Sequence, residues 1–110
     1  MDGIVKNILD EIILKFDELI VIQVKIEKEY IKLNKKDSFS SFLLNKTKGV
    51  KDELINFYQY EKINKSYDLL EDYIRNADFG IYFDQPEELK KIILILDELA
   101  RLNMKLEIIS

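Results

Sequence analysis

Hydrophobic residues in the first third of the chain recur at alternating spacings of four and three, as in a helix that packs along one seam. Nine residues form this seam, and one of them is polar: Val5, Leu9, Ile12, Phe16, Leu19, Gln23, Ile26, Tyr30 and Leu33. The spacing predicts a helix from about 3 to 34. Residues 22–27 are rich in β-branched side chains and alternate apolar with polar positions, so a short strand is the competing prediction there.

A polar boundary with the sequence NKKDS separates this helix from a predicted short helix at about 38–47. Asp37 or Ser38 would be its N-cap, and Gly49 fits the position just past a helix end. The short helix is expected to bury three apolar residues: Phe39, Phe42 and Leu43.

A third helix is predicted at about 50–77 and a last one at about 86–108. The apolar stripe of the third helix shifts its phase near the sequence EKINKS at 61–66, which indicates a kink or a break there. Pro86 and the two glutamates after it suit the first turn of the last helix. Proline fits that turn, and acids interact favourably with its partial positive charge.

The stretch FGIYF at 79–83 places three rings in what the pattern predicts to be a connection. Gly80 gives this segment freedom to turn. We interpret FGIYF as a plug that closes the core, with Phe79 and Phe83 packed under the helix ends and Tyr82 as the exposed ring. A patch offered to a partner is the alternative interpretation.

These elements predict an all-α fold, a single domain spanning 1–110 and built as an elongated bundle of three long helices and one short helix. A first helix of this length would be about 48 Å long, whereas a compact domain of this size has a radius of gyration of about 13 Å. The helix is therefore broken, or the bundle is elongated, or a second copy covers the overhang. The last case would make the protein a homodimer through its first helix.

Composition argues against most catalytic chemistry. The chain has no His and no Cys, so it lacks the usual general bases, thiolate nucleophiles and transition-metal ligands. Its three glycines stand apart, so there is no glycine-rich phosphate loop. Asp68, Glu71 and Asp72 are the candidates for an all-carboxylate Mg²⁺ or Ca²⁺ site, and we interpret them as a solvated acidic face. We expect no enzyme, no cofactor and no bound metal.

Composition also bounds the class of protein and its compartment. The 47% hydrophobic content is that of a globular protein and too high for a disordered one. The first residues carry acids where a signal peptide carries positive charge, and no apolar run approaches the roughly 18 residues of a membrane span. A cytoplasmic protein without a membrane partner is therefore expected.

Charge is distributed unevenly along the chain, whose net charge is −4. Residues 25–51 carry eight Lys against three acids, whereas residues 52–88 carry ten acids against three basic residues. The acidic segment also holds five of the six tyrosines. Tyrosine beside acids is typical of protein interfaces, because a rigid ring supplies contact area and charge steers the encounter. The residues predicted to bind a partner with a basic surface are Tyr58, Tyr60, Tyr67, Asp68, Glu71, Asp72, Tyr73, Tyr82, Asp84, Glu87 and Glu88.

Three functions fit these features. The leading hypothesis is a non-enzymatic protein that binds and inhibits another protein through its acidic half, as small acidic immunity proteins, antitoxins and phage-encoded inhibitors do. The second is a structural or assembly protein that uses the first helix as a dimer or hetero-bundle interface. The third is a Lys-rich nucleic-acid or phosphate binder at 32–51, where Phe39 and Phe42 could stack on bases. The acidic net charge and the presence of only two arginines count against the third.

Overall fold

A computed structural model describes residues 2–35 and 38–109, and it confirms the all-α fold and the elongated bundle. This part of the chain contains no strand and consists of α1 (Gly3–Lys32), α2 (Ser38–Gln59), α3 (Ile63–Asn76), a 3₁₀ turn (Phe79–Tyr82) and α4 (Pro86–Ile109). The predicted cap at Asp37 or at the Ser38 side chain lies outside the described residues.

The helices form a ring in which each packs against its neighbours in the chain and α4 closes onto α1. Short connections make successive helices run in opposite directions. Tyr30 near the end of α1 accordingly contacts Asp84, just before the start of α4. The bundle measures 48 × 22 × 20 Å, so its own length accommodates α1.

The seam of α1 faces the core of its own bundle. Seven of its nine residues are buried: Leu9, Ile12, Phe16, Leu19, Gln23, Ile26 and Tyr30. The helix continues through residues 22–27, so the predicted helix is confirmed and the competing strand is not formed there. Asp2 caps the first turn by accepting a hydrogen bond from the backbone N–H of Ile4 at 2.9 Å. The seam residues are thus engaged within the chain.

The prediction that the second helix ends at about 47, with Gly49 just past its end, is wrong. α2 runs through Gly49 to Gln59. Gly49 keeps a right-handed backbone, since no described glycine has a positive φ. Buried positions continue across it at helical spacing, with Leu43, Thr47, Val50 and Leu54 all facing the core. Glycine inside a helix costs about 1 kcal/mol, and burial of the apolar residues after it outweighs that cost.

The residues of the predicted third helix, 50–77, are therefore divided between the second half of α2 and the whole of α3. The predicted interruption near 61–66 is confirmed as the break between these two helices. The chain leaves α2 through Glu61, whose φ is 55°. The backbone N–H of Lys62 then donates to the carbonyl of Phe57 at 2.8 Å. A left-handed residue with a backward hydrogen bond of this kind is a common way for a helix to end.

Two predictions about exposed rings are also corrected. In the 3₁₀ turn, Phe79 and Tyr82 are buried and Phe83 is 79% exposed, so the assignments of Tyr82 and Phe83 were reversed. Residues three apart share a side of a 3₁₀ turn, which places Tyr82 with Phe79 and turns Phe83 outward.

On α2, the predicted burial of Phe39 and Phe42 is wrong, because they are 68% and 65% exposed. Leu43 is buried as predicted.

Candidate protein-binding face

α3 has one face in the core and one acidic face in solvent. Its buried residues are Ser66, Leu70 and Tyr73, at successive spacings of four and three. Asp68 and Asp72 fall about half a turn away from that stripe, and both are exposed. The same helical periodicity that builds the core therefore presents the carboxylates outward.

The structure divides the predicted interaction residues into three groups by exposure. Tyr73 and Tyr82 are buried. The half-buried residues are Tyr58, Tyr67, Glu71 and Glu88. The exposed residues are Tyr60, Asp68, Asp72, Asp84 and Glu87.

Tyr73 and Tyr82 belong to the core. The Tyr73 ring lies 5.3 Å from that of Phe16 and 6.3 Å from that of Phe79, and the Phe79 ring lies 6.3 Å from that of Tyr82. The Tyr73 hydroxyl is 2.7 Å from the hydroxyl of Thr47, and burial raises the pKa of Tyr73. These two rings tie α3 and the 3₁₀ turn to the core, and a docked partner would not touch them.

Asp84 and Glu88 bind α1. The Asp84 carboxylate accepts hydrogen bonds from the Tyr30 hydroxyl at 2.6 Å and from the Lys35 ammonium at 2.9 Å. Glu88 binds the Lys25 ammonium at 3.0 Å. The hydrogen bond from Tyr30 and then that from Lys35 hold the pKa of Asp84 below its usual value, and the hydrogen bond from Lys25 does the same for the pKa of Glu88. Both acids hold the end of α1 against the start of α4.

Asp84→Asn is expected to lower the free energy of unfolding at pH 7 by about 1 kcal/mol, the value of a charged hydrogen bond reduced for partial exposure. The folded pKa of Asp84 is depressed. Its contribution is therefore full above the unfolded pKa and is lost as the pH falls through the folded one. Urea unfolding at pH 7 and below about pH 4 should show the difference from wild type shrinking in acid. Asp10→Asn, at an exposed position on α1, is the control, and a deficit that persists in acid would contradict this role.

A groove between α3 and α4 adjoins the acidic face. It has a volume of about 360 Å³ and is lined by Tyr67, Glu71, Ile74, Arg75, Ala100, Asn103 and Met104. The Asn103 amide donates to the Tyr67 carbonyl at 3.2 Å, and the Tyr67 hydroxyl donates to Glu107 at 3.1 Å. The bond to Glu107, together with burial, raises the pKa of Tyr67 to about 12. The hydrogen bond to Glu107 orients the ring of Tyr67 at the edge of the groove.

The acids of α3 differ in how they are paired. Glu71 binds Arg75 at 2.7 Å, and Asp72 accepts a hydrogen bond from the Asn76 amide at 2.7 Å. Within the described residues, neither Asp68 nor Asp72 forms an ion pair. Two carboxylates four residues apart on one helix repel each other, so this face would gain by meeting a cation.

The remaining predicted residues lie elsewhere. Tyr58 lines a separate groove of about 490 Å³ between α1 and α2, and its hydroxyl is buried without a hydrogen-bond partner among the described residues. Tyr60 lies in the α2–α3 connection with the Lys62 ammonium 6.0 Å from its ring centre. Glu87 lies in the first turn of α4. Of the predicted set, Tyr67, Asp68, Glu71 and Asp72 are brought together on α3.

Neither a metal centre nor a membrane span is found in the part of the chain that the structure describes. No three acidic side chains there converge as metal ligands, and Glu71 of the candidate carboxylate set is bound to Arg75. None of the described helices is both long and apolar enough to cross a bilayer. What the face between α3 and α4 offers is a groove that combines the apolar side chains of Ile74, Ala100 and Met104 with the Glu71–Arg75 ion pair.

Sequence reasoning missed the contribution of α4 to this face. Met104 is 59% exposed and lies in the groove, with Ala100 one turn before it. The signal was present, since the apolar residues of α4 cover more of the helix surface than one core-facing stripe needs.

Comparison of the chain with protein-family models, with curated proteins and with solved structures gives no match.

Proposed function

We propose that this is a non-enzymatic protein that binds another protein through the face formed by α3 and α4 and inhibits it. The observation that carries the proposal is the groove lined by Tyr67, Ile74 and Met104, together with two exposed carboxylates of the same helix, Asp68 and Asp72, that have no ion pair within the described residues. Apolar area supplies binding free energy, and local charge supplies steering and selectivity.

The chemistry of the face defines the partner. An apolar side chain would enter the groove against Tyr67 and Met104, and Lys or Arg side chains beside it would meet Asp68 and Asp72. The repulsion between these two acids, about 0.2–0.5 kcal/mol for such a pair, would be relieved on binding. A basic surface is typical of proteins that bind polyanions, so occupying it would block the partner's own ligand.

Reversing both charges should slow association. We expect Asp68→Lys combined with Asp72→Lys to lower the association rate constant at least about tenfold at low salt, with a smaller effect at high salt because ions screen exposed charges. The partner would be isolated from cells on the immobilised protein, and the rates would be measured by biolayer interferometry. Both positions are exposed, so the circular dichroism spectrum should not change.

The matched control places the same charge change on the opposite side of the bundle. Asp10→Lys combined with Glu11→Lys alters two exposed acids of α1, which packs against α2 and α4. This control should keep association close to wild type. Equal slowing in both double variants would show that the net charge of the protein, and not the position of the acids, causes the effect. Unchanged kinetics in the α3 variant would reject the site.

The dissociation rate tests whether the partner enters the groove. Met104→Ala should speed dissociation and leave association nearly unchanged, because it removes packing without changing charge. Ile4→Ala removes a similarly exposed apolar side chain at the start of α1 and should change neither rate. An unaltered dissociation rate for Met104→Ala would show that the partner contacts the acids without entering the groove.

A further inference from the structure

Phe39 and Phe42 form an exposed aromatic pair at the start of α2, on the other side of α3 from the groove described above. Both rings expose about two thirds of their surface, at 68% and 65%. They border a cleft of about 110 Å³, whose other wall comes from the end of α3 and the segment after it, including Asp78 and Ile81. Large exposed rings grouped at a cleft indicate an interaction site.

The charge at this cleft is balanced, unlike that of the acidic face. Lys46 and Asp78 both line it, and neither forms an ion pair within the described residues. The Asp78 carboxylate accepts a hydrogen bond from the backbone N–H of Gly80 at 3.1 Å, which fixes its position. The cleft therefore combines two rings, one cation and one anion.

We infer that this cleft binds the same cleft of a second copy of the chain. A two-fold symmetric contact must be self-complementary, since each residue of one copy meets the partner residue of the other. Lys46 of one copy would pair with the second copy's Asp78, and the reverse pair would form at the same time. The rings of Phe39 and Phe42 would pack against their equivalents between the two ion pairs.

Charge favours a second copy over the other occupants. The chain carries a net charge of −4, so copies repel one another at their acidic faces and can meet where local charge is neutral. A nucleic acid would find Lys46 as the one cation among the described residues that line the cleft, and it would also meet the carboxylate of Asp78. A polyanion is therefore a poorer fit than an equally mixed surface.

The exposed area available for this contact is small. A buried Phe side chain accounts for about 150–250 Å², so the two exposed rings offer roughly 250 Å² per copy. Stable interfaces bury about 800 Å² per partner. The dimer should thus be weak and reversible, form only at high protein concentration, and dissociate on dilution.

The experiment uses charge exchange between two variants. Lys46→Glu and Asp78→Lys should each abolish self-association, because each places like charges opposite one another across the contact. An equimolar mixture of the two should restore the dimer. In the mixed pair, the new glutamate of one variant faces the new lysine of the other, and the native Asp78 of the first faces the native Lys46 of the second. Sedimentation velocity over a wide range of concentration would measure the populations.

Further variants separate this contact from general effects. Phe39→Ser combined with Phe42→Ser should raise the dimer dissociation constant at least about tenfold, whereas Leu14→Ser, at an exposed site on α1, should leave it unchanged. Lys48→Glu, two positions from Lys46 and also exposed, is the charge control. Asp78→Asn keeps an acceptor for Gly80 and should weaken the dimer even if Asp78→Lys perturbs the turn.

Three outcomes would overturn the inference. The first is a monomer at every concentration. The second is a dimer that persists in the Phe39 and Phe42 double variant. The third is failure of the Lys46→Glu and Asp78→Lys mixture to associate while both variants remain folded. Binding of a single-stranded oligonucleotide that is lost in the Phe double variant, with a monomeric wild type, would assign the cleft to nucleic acid instead.

Discussion

Replacing Phe16 by Ala is expected to lower the free energy of unfolding by about 3–5 kcal/mol, the usual cost of deleting a fully buried ring. Phe16 is 0% exposed. Its ring lies 5.3 Å from that of Tyr73, so it joins the first helix to the third across the bundle. Truncation would remove the ring's dispersion contacts and leave a cavity that rigid helices fill only in part.

Urea unfolding followed by circular dichroism would measure this loss. Leu14→Ala, two positions earlier on the exposed side of α1, should change the free energy of unfolding by less than about 0.5 kcal/mol. Because the loss could consume most of the stability of a domain this small, Phe16→Leu is the milder companion and should fall between the two. A cost below about 1 kcal/mol for Phe16→Ala would contradict its central position in the core.

The helices that sequence reasoning located best are those whose apolar positions follow one period without interruption. The seam of α1 is of this kind, and its buried residues were all identified. α4 begins at Pro86 as predicted, because proline and two acids mark a first turn locally. Such signals are readable because helix periodicity and first-turn preferences depend on neighbours within a few residues.

Gly49 and the ring residues show where local reasoning fails. Whether a glycine ends a helix depends on the residues after it, and at Gly49 the burial of Val50 and Leu54 stabilises a continued helix. The orientation of Phe39 and Phe42 depends on the rotation of α2 about its axis, which its other buried residues set together. A single ring cannot be assigned to core or solvent until that rotation is known.

The candidate site shows the same difference between features set by one helix and features set by tertiary contacts. The sequence predicts that Asp68, Glu71 and Asp72 form a solvated acidic face on one helix. In the structure Asp68 and Asp72 are exposed, whereas Glu71 is half-buried and bound to Arg75. Asp84 and Glu88 carry the same charge, yet they bind Lys35 and Lys25, which lie 49 and 63 positions away in the chain. Composition gives the charge of a segment, but only tertiary contacts show which acids are already paired.

Replacing Gln23 by Met is expected to raise the free energy of unfolding by about 1–3 kcal/mol, the cost of a buried amide without hydrogen bonds. Gln23 is 0% exposed, and both polar atoms of its side chain lack a partner within the described residues. It occupies the seam of α1 between Leu19 and Ile26, where every neighbouring seam position is apolar. Met has a similar length and shape and can fill the same space without a polar atom that needs a partner.

Thermal and urea unfolding of Gln23→Met would test this, with Gln59→Met at an exposed position as the control that changes little. A gain of this size would mean that the core tolerates Gln23 at a cost to stability, as proteins do where they are selected for something other than maximal stability. A loss would instead mean that a buried water bonds to the amide in solution, because a satisfied amide is costly to remove. The two results have opposite signs, so one pair of unfolding curves decides between a polar defect in the seam and a hydrated polar site that stabilises it.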